Sequence, residues 1–140
     1  MEKEFCTYEQ AVALKELGFN ESCFGYYIET KEWIPASYSQ KGTIYPSNLD
    51  LMKEWVSAPL YQQAFRWFRD KHNLYSTINL DSYKEPYSLK VTIKHLDDTN
   101  TFVDKEYYPY NNGIGDIDNK KYEEAESACL DKLIENCKNK

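Results

Sequence analysis

Hydrophobic residues recur along this chain with two different periods, and these periods predict where helices and strands lie. Three stretches, residues 8–17, 60–72 and 122–136, place apolar side chains on one side at helical spacing. Residues 87–96 instead alternate apolar and polar side chains, as a strand with one buried face does. The chain therefore combines amphipathic helices with half-buried strands.

The first of these helices carries a start signal and a stop signal. Thr7 and Gln10 have the spacing of a capping box, in which each side chain accepts a hydrogen bond from the other residue's backbone. Gly18 followed by Phe19 is typical of a helix end, because glycine tolerates the left-handed backbone that closes the last turn. We therefore predict a helix from Tyr8 to Leu17.

The second helix divides its residues between two faces. When the residues are projected around the helix axis at about 100° per residue, every aromatic ring falls on one side and both arginines fall on the opposite side. The predicted core face consists of Leu60, Tyr61, Ala64, Phe65, Trp67 and Phe68. The predicted outward face consists of Gln62, Gln63, Arg66, Arg69, Asp70 and Asn73. Pro59 suits the first turn of this helix, with Ser57 or Ala58 as its cap.

Strands and loops occupy the rest of the chain. We predict a hairpin from residues 23–29 and 32–38, and three later strands at residues 74–80, 87–96 and 101–110. Residues 39–56 show no sustained period of hydrophobic positions, and this predicts a loop with one helical turn near residues 49–55. A loop of that length is either functional or a misassigned element, and both alternatives stay open. Residues 111–121 predict a second, polar loop before the last helix.

The order of these elements predicts an α+β fold. We expect a mainly antiparallel sheet packed on one face by about three amphipathic helices. A chain of 140 residues fits one compact domain, so residues 1–140 are expected to form a single globular domain.

Charge and composition narrow the classes of partner. The formal net charge is −6, which opposes attraction to duplex nucleic acid and to anionic membranes. The start, MEKEFCTYEQ, lacks the basic and apolar segments of a secretory signal, and no stretch is long enough to span a membrane. We therefore expect a soluble cytoplasmic protein that binds neither a membrane nor duplex nucleic acid.

The cysteines and histidines favour neither a metal site nor catalysis. Four cysteines without a secretory signal are expected to be free thiols in a reducing cytosol, and none belongs to a CxxC pair. A cysteine nucleophile would need His72 or His95 brought to it by the fold. The loop NNGIGDIDN lacks the lysine-serine ending of a phosphate-binding loop. We predict no catalytic residue, no metal and no cofactor.

Arginine is rare in this chain, with two residues against fifteen lysines, so Arg66 and Arg69 stand out. They are three residues apart and therefore neighbours on a helix, where they could hold one carboxylate or phosphate. The alternative is an ordinary solvated helix face with Arg66 paired to Asp70. The full candidate binding set is Gln62, Arg66, Arg69 and Asn73, with Tyr107, Tyr108 and Tyr110 as rings for stacking.

Four segments carry a resemblance to a known family. TYEQAVALKELGF, CFGYY, APLYQQAFRWFRDKH and YEEAESACLDKLIE, in this order, resemble a family of small uncharacterised proteins found in phages, prophages and mobile elements of gut Bacteroidales. The resemblance implies a phage or mobile-element accessory protein in the cytoplasm of a bacterial host. It implies no catalytic residue and no ligand.

Three hypotheses of function follow. The first is a non-enzymatic accessory protein that binds a host or phage protein, with its acidic surface steering it toward a basic target. The features that suggest it are the acidic strip Glu123, Glu124, Asp131 and Glu135 and the tyrosine-rich segment 107–110. The second is a binder of a small anionic, nucleotide-like molecule in anti-defence. The third is an unrecognised hydrolase.

Overall fold

The structure, a computed structural model, describes residues 2–36, 38–39, 42–43, 45–81, 88–96, 102–107 and 119–139. Helices and antiparallel strands occur together in it, so the predicted α+β class is confirmed. The strands fall into separate small sheets. The chain forms two compact units, Met1–Ala64 and Phe65–Lys140. That they make up one globular domain stays a prediction.

In its described residues, the first unit contains helix α1 and short strands. Helix α1 spans Tyr8–Glu16 and follows a 3-10 turn at Glu2–Glu4. The strands are β1 (Gly25–Tyr27), β2 (Trp33–Pro35), β3 (Tyr38–Ser39), β4 (Gly42–Thr43) and β5 (Val56–Ser57). The three-stranded sheet has the order β2-β1-β5, and β3 pairs with β4 in a separate ribbon; all pairs are antiparallel.

Both end signals of α1 are confirmed. The Thr7 hydroxyl accepts a hydrogen bond from the Gln10 backbone at 3.2 Å, and the Gln10 side chain accepts one from the Thr7 backbone at 3.1 Å. Gly18 has a φ of 95°, and the Phe19 backbone N–H donates to the carbonyl of Leu14 at 2.9 Å. Because Leu14 and Phe19 are both fully buried, this end of the helix is fixed by packing as well as by its cap.

The predicted hairpin forms, although its strands are shorter than expected. Tyr27 lies opposite Trp33 and Gly25 lies opposite Pro35, with Lys31 at a φ of 66° in the connecting turn. The Trp33 ring packs against Gly25 so closely that a Cβ on that glycine would lie 2.6 Å from Trp33 Cε2. Glycine is therefore required there because the indole occupies the space of any side chain.

The helical turn predicted near residues 49–55 is wrong. That region forms successive turns and then strand β5. The Ser47 backbone and hydroxyl both donate to the carboxylate of Asp50, at 3.0 and 2.9 Å. Short polar side chains that bond to nearby backbone in this way compete with helix formation.

Helix α2 spans Tyr61–His72, so neither Ser57 nor Ala58 caps it. Leu60 precedes the first turn and accepts from the Ala64 backbone, while the Pro59 carbonyl accepts from the backbone of Cys6 at 2.9 Å. The two-face prediction is confirmed, with Gln63 as the exception. Buried residues of α2 are Tyr61, Ala64, Trp67 and Phe68; Leu60, just before the helix, and Phe65 and Gln63 within it are half-buried.

The second unit is an antiparallel sheet with a helix packed on it. Its strands are β6 (Leu74–Asp81), β7 (Ser88–Leu96) and β8 (Phe102–Tyr107), in that order across the sheet. Helix α3 spans Asn119–Lys138 and contacts β6 and β7. Its buried residues are Ala125, Cys129, Leu130, Leu133 and Ile134.

The alternation predicted for β7 is confirmed. Leu89, Val91 and Ile93 are buried, and His95 ends the same face half-buried. Thr92, on the other face, is also buried, because β7 is the central strand and has neighbours on both sides. The long ladder between β6 and β7 runs without interruption from Leu74–His95 to Asp81–Ser88.

Candidate functional site

The predicted arginine strip lies on the solvent side of helix α2. Gln62, Arg66 and Arg69 are all exposed. Asp70 is also exposed, and its Oδ1 lies 3.9 Å from Arg69 Nε, so a carboxylate accompanies the guanidinium that was expected to hold an anion. Such an exposed pair is weak, which leaves anion binding by the strip a prediction.

Asn73 has a structural role that the helical projection did not predict. It directly follows the last residue of α2 and has a φ of 53°, in the left-handed region. Asparagine is the residue other than glycine that most readily adopts this conformation at a helix end. Asn73 therefore turns the chain from α2 into β6.

The tyrosine part of the predicted site is only partly described. Tyr107 is the last residue of β8 and lies opposite Val91 in the sheet register. Tyr108 and Tyr110 lie outside the described residues. The proposed stacking role of these three tyrosines therefore stays a prediction.

The buried thiols are poor nucleophiles. Burial raises the pKa of Cys23 to about 12, and the nearby Glu21 carboxylate raises it further. The Ser57 hydroxyl and the Gln63 side chain beside this thiol lower its pKa and partly offset the effect of burial. Burial likewise raises the pKa of Cys129 to about 11. Both groups are neutral at physiological pH, which argues against a catalytic thiolate.

Gln63 explains why one outward residue of α2 is half-buried. Its amide nitrogen donates to the Ser22 carbonyl at 2.9 Å and to the Glu21 carboxylate at 3.2 Å. Its amide oxygen accepts from the Cys23 thiol at 3.7 Å. Gln63 thus ties the segment 21–23 to the start of α2 within the first unit.

His72 packs against rings of its own helix. Its centroid lies 4.7 Å from that of Trp67 and 5.7 Å from that of Phe68. His95, in β7, lies opposite Leu74. His72 therefore packs with rings of α2, and His95 lies on the central strand of the second unit's sheet.

Two segments of the first unit, residues 19–24 and 45–54, are joined by hydrogen bonds and carry the most exposed large apolar side chains of the described residues. Three contacts show that the segments run in opposite directions. The Phe24 and Tyr45 rings meet edge to face at 5.4 Å. The Cys23 backbone donates to the Pro46 carbonyl at 3.0 Å, and the Leu49 backbone donates to the Asn20 side chain at 3.0 Å.

Asn48 holds this framework together. Its amide nitrogen donates to the Phe19 carbonyl at 2.7 Å, and its amide oxygen accepts from the Ser57 backbone at 2.9 Å. One side chain therefore joins three stretches of the first unit. The adjacent Ser47 backbone N–H and hydroxyl hold the pKa of Asp50 below its usual value, so this carboxylate stays charged and keeps the turn closed.

We name the exposed apolar surface on this framework the ledge, and define it as Phe24, Tyr45, Leu49 and Met52. Their exposed fractions are 54%, 47%, 83% and 58%. Exposed apolar side chains that contact each other, as the Phe24 and Tyr45 rings do, are typical of a surface that another molecule covers. The ledge segments also carry three acidic residues, Glu21, Asp50 and Glu54, and one basic residue, Lys53. The rim of the ledge is therefore acidic.

A cleft of about 320 Å³ lies next to the ledge along the chain. It is lined by Tyr8, Val12, Lys15 and Glu16 of α1 and by Lys53, Glu54, Trp55 and Val56. The Lys15 ammonium donates to the carbonyls of Lys53 and Trp55, both at 2.8 Å, and so fixes the turn after Met52. Two lysines and two glutamates line the cleft, so its charge does not favour an ion of either sign.

Sequence reasoning missed the ledge, although one signal marked it. Apolar residues at Tyr45, Leu49 and Met52 fall in a stretch with no period, where a helix or strand would not bury them. The length of the 39–56 loop pointed to function or to misassignment. Its partner segment, residues 19–24, is brought to it only by the fold.

The described residues contain neither a metal-binding cluster nor a membrane-spanning helix. Across the described ranges, no group of three or more histidine, cysteine or acidic side chains is arranged to hold a metal ion. In the same ranges, no helix has the length and apolar character that crossing a bilayer requires. Comparison with known protein families, curated proteins and solved structures finds no match to this chain.

Proposed function

We propose that this chain is a non-enzymatic binding protein that acts by docking another protein on the ledge. The observation that carries the proposal is the exposure of Phe24, Tyr45, Leu49 and Met52 on segments tied together by hydrogen bonds. Covering apolar surface is worth about 25 cal/mol per Å², so such a surface favours association once its shape is matched. Because the framework is fixed before binding, little entropy is lost in ordering it.

The charge around the ledge indicates the kind of protein it would meet. The chain carries a net charge of −6, to which the ledge segments contribute three carboxylates and one lysine. In the second unit, helix α3 exposes Glu124, Asp131 and Glu135, which are also part of this net charge. We therefore expect a partner with an apolar patch rimmed by basic residues, drawn to this protein faster at low salt.

The resemblance to small proteins of phages, prophages and mobile elements sets the biological context of the proposal. In that context the partner is a host or phage protein in the bacterial cytoplasm. The chain is then an accessory factor that acts by binding this partner and not by catalysis. The raised pKa values of Cys23 and Cys129 agree with a role that needs no nucleophile.

Paired surface variants test the ledge. The double variant Leu49→Ser with Met52→Ser removes two apolar contacts that the fold does not bury, so it should leave thermal stability unchanged. Its affinity for a partner should fall by about tenfold or more, since each such contact is worth about 1 kcal/mol or more. The matched control is Tyr122→Ser, which removes an exposed ring from α3 in the second unit.

The measurement has two stages. Proteins captured from a host lysate by the wild type and by both variants are identified by mass spectrometry. The protein lost only with the ledge variant is then purified, and its Kd for each variant is determined by calorimetry at two salt concentrations. Equal affinity of the wild type and the ledge variant would show that the partner binds elsewhere, and the proposal would be abandoned.

A further inference from the structure

The sheet of the second unit has two edge strands that differ in their protection against pairing. Strand β8 carries Asp104, Lys105 and Glu106 within its six residues. Charged residues on an edge strand oppose pairing with another chain. Strand β6 has eight residues, LYSTINLD, with a single charge at its end and no lysine, arginine, proline or glycine. Strand β6 therefore lacks the residues that commonly block strand addition.

The backbone of β6 is also regular. Its register with β7 is unbroken over all eight residues, so no bulge twists its outer edge away. No strand of the described chain pairs with that outer edge. Tyr75, Thr77 and Asn79 are exposed on one face, and Ile78 is half-buried on the other. Residues on both faces of β6 therefore retain contact with solvent.

The net charge of −6 and the exposed carboxylates of α3 favour a basic partner. Helix α3, which packs on β6 and β7, exposes Glu124, Asp131 and Glu135, and Lys132 is paired with the last of these at 3.0 Å. The cations that lie across from β6, Lys90 and Lys94, belong to the central strand and are half-buried. The sequence of β6 ends in Asp81, the one charged residue of the strand.

We infer that the outer edge of β6 accepts an extended strand from a protein partner, rich in β-branched residues and flanked by lysine or arginine. Backbone hydrogen bonds to the open edge supply affinity, and the negative charge of the chain, including the exposed carboxylates of α3, favours the flanking cations. This site is distinct from the ledge and does not depend on it. A second copy of this chain is a poorer occupant, because it brings the same net charge of −6.

Amide hydrogen exchange with synthetic peptides tests the site on the wild-type protein. The probe is the peptide KTVTVK, and its control is ETVTVE, which has the same strand propensity and the opposite charge. At a concentration of about ten times its Kd, the basic peptide should slow exchange at outward-facing amides of β6 by about tenfold. Exchange in β8 should not change, and ETVTVE should give no protection.

A substitution on the strand provides a second test. Thr77→Lys places on β6 the charge that edge strands use against pairing, so it should abolish protection by KTVTVK. Thr77→Val keeps strand propensity without adding charge and should retain it. Because Thr77 is exposed, neither change removes buried contacts.

Three results would overturn the inference. Exchange in β6 that neither peptide slows would mean that the edge does not accept a strand. Equal protection by KTVTVK and ETVTVE would mean that charge does not select the partner. Protection of β6 that grows with protein concentration and without peptide would mean that a second copy occupies the edge. Each outcome leaves the ledge unaffected, because Leu49 and Met52 belong to the other unit.

Discussion

The first unit, residues 1–64, and the second, residues 65–140, become ordered by different interactions. The first has strands of two or three residues, and its turns are held by side chains that bond to distant backbone, as Asn48 and Lys15 do. The second has strands of six to nine residues in regular ladders with one long helix packed on them. Periodic burial builds the second unit, whereas the first combines buried residues such as Leu14 and Phe19 with individual polar contacts.

The two units also differ in what they leave exposed. Among the described residues, the large apolar side chains exposed on the first unit are Phe24, Tyr45, Leu49 and Met52. Those exposed on the second are Tyr75 and Tyr122, whose rings end in a hydroxyl that water can satisfy. The first unit thus presents an exposed apolar surface, and the second presents an edge strand.

The largest effects should come from removing a buried leucine from either unit. Leu14 and Leu133 are both fully buried, so Leu14→Ala and Leu133→Ala should each lower the free energy of unfolding by about 2–5 kcal/mol. Leu49→Ala is the control, because Leu49 is exposed and its loss should cost less than about 0.5 kcal/mol. The measurement is urea unfolding followed by circular dichroism and tryptophan fluorescence.

The same experiment tests whether the units form one domain. If they unfold cooperatively, as a single domain does, each leucine variant shifts one shared transition. If Leu14→Ala instead produced an early transition that left the second unit folded, the prediction of a single domain would be wrong. The two units would then differ in stability as well as in structure.

A substitution with an intermediate effect on stability should distinguish the polar contacts of the first unit from the regular strand ladder of the second. Asn48→Ala removes the hydrogen bonds that the Asn48 side chain makes to the Phe19 carbonyl and the Ser57 N–H, and both of these residues are buried, so we expect a loss of about 2 kcal/mol in the free energy of unfolding. Asn79→Ala is the matched control in β6, where the side chain is exposed and makes one long bond of 3.4 Å to Thr77. It should cost less than about 0.5 kcal/mol.

Thermal and urea unfolding of these asparagine variants measure the contrast directly. Equal losses for Asn48→Ala and Asn79→Ala would contradict the view that single polar contacts hold the first unit. A larger loss at Asn79 would reverse the comparison altogether.

The smallest expected change in the free energy of unfolding is absent at neutral pH and appears only at alkaline pH. Burial raises the folded-state pKa of Cys23 to about 12 and that of Cys129 to about 11, from an ordinary value of 9.0. The folded protein therefore holds these protons more tightly than the unfolded chain does. The stabilisation is complete below pH 9.0 and is lost as the pH rises through the folded-state values, because ionisation then favours unfolding.

Cysteine variants measure this pH dependence in each unit. Cys23→Ala and Cys129→Ala should flatten the fall in unfolding free energy between pH 8 and pH 11, each relative to its own value at pH 7. Iodoacetamide labelling provides the control, since the half-buried Cys137 should react in the folded protein before the buried Cys6, Cys23 and Cys129. An unchanged slope in both variants would show that the thiols do not contribute to it.

Local patterns alone determined the elements of the second unit and the ends of α1. The alternation in β7, the two faces of α2 and the Thr7–Gln10 capping box depend on residues within one or two turns of each other, so the sequence displays them directly. The acidic charge is likewise a property of composition. These features follow from interactions short enough to be visible along the chain.

Only the tertiary structure decided which surfaces stayed open. Asn48 bonds Phe19 and Ser57, and Phe24 meets Tyr45, across sequence separations that no local period records. The same holds for the edge position of β6, which depends on strand order rather than on the strand's own residues. A pattern of apolar positions shows which side chains need cover, whereas the packing of distant segments determines which of them receive it.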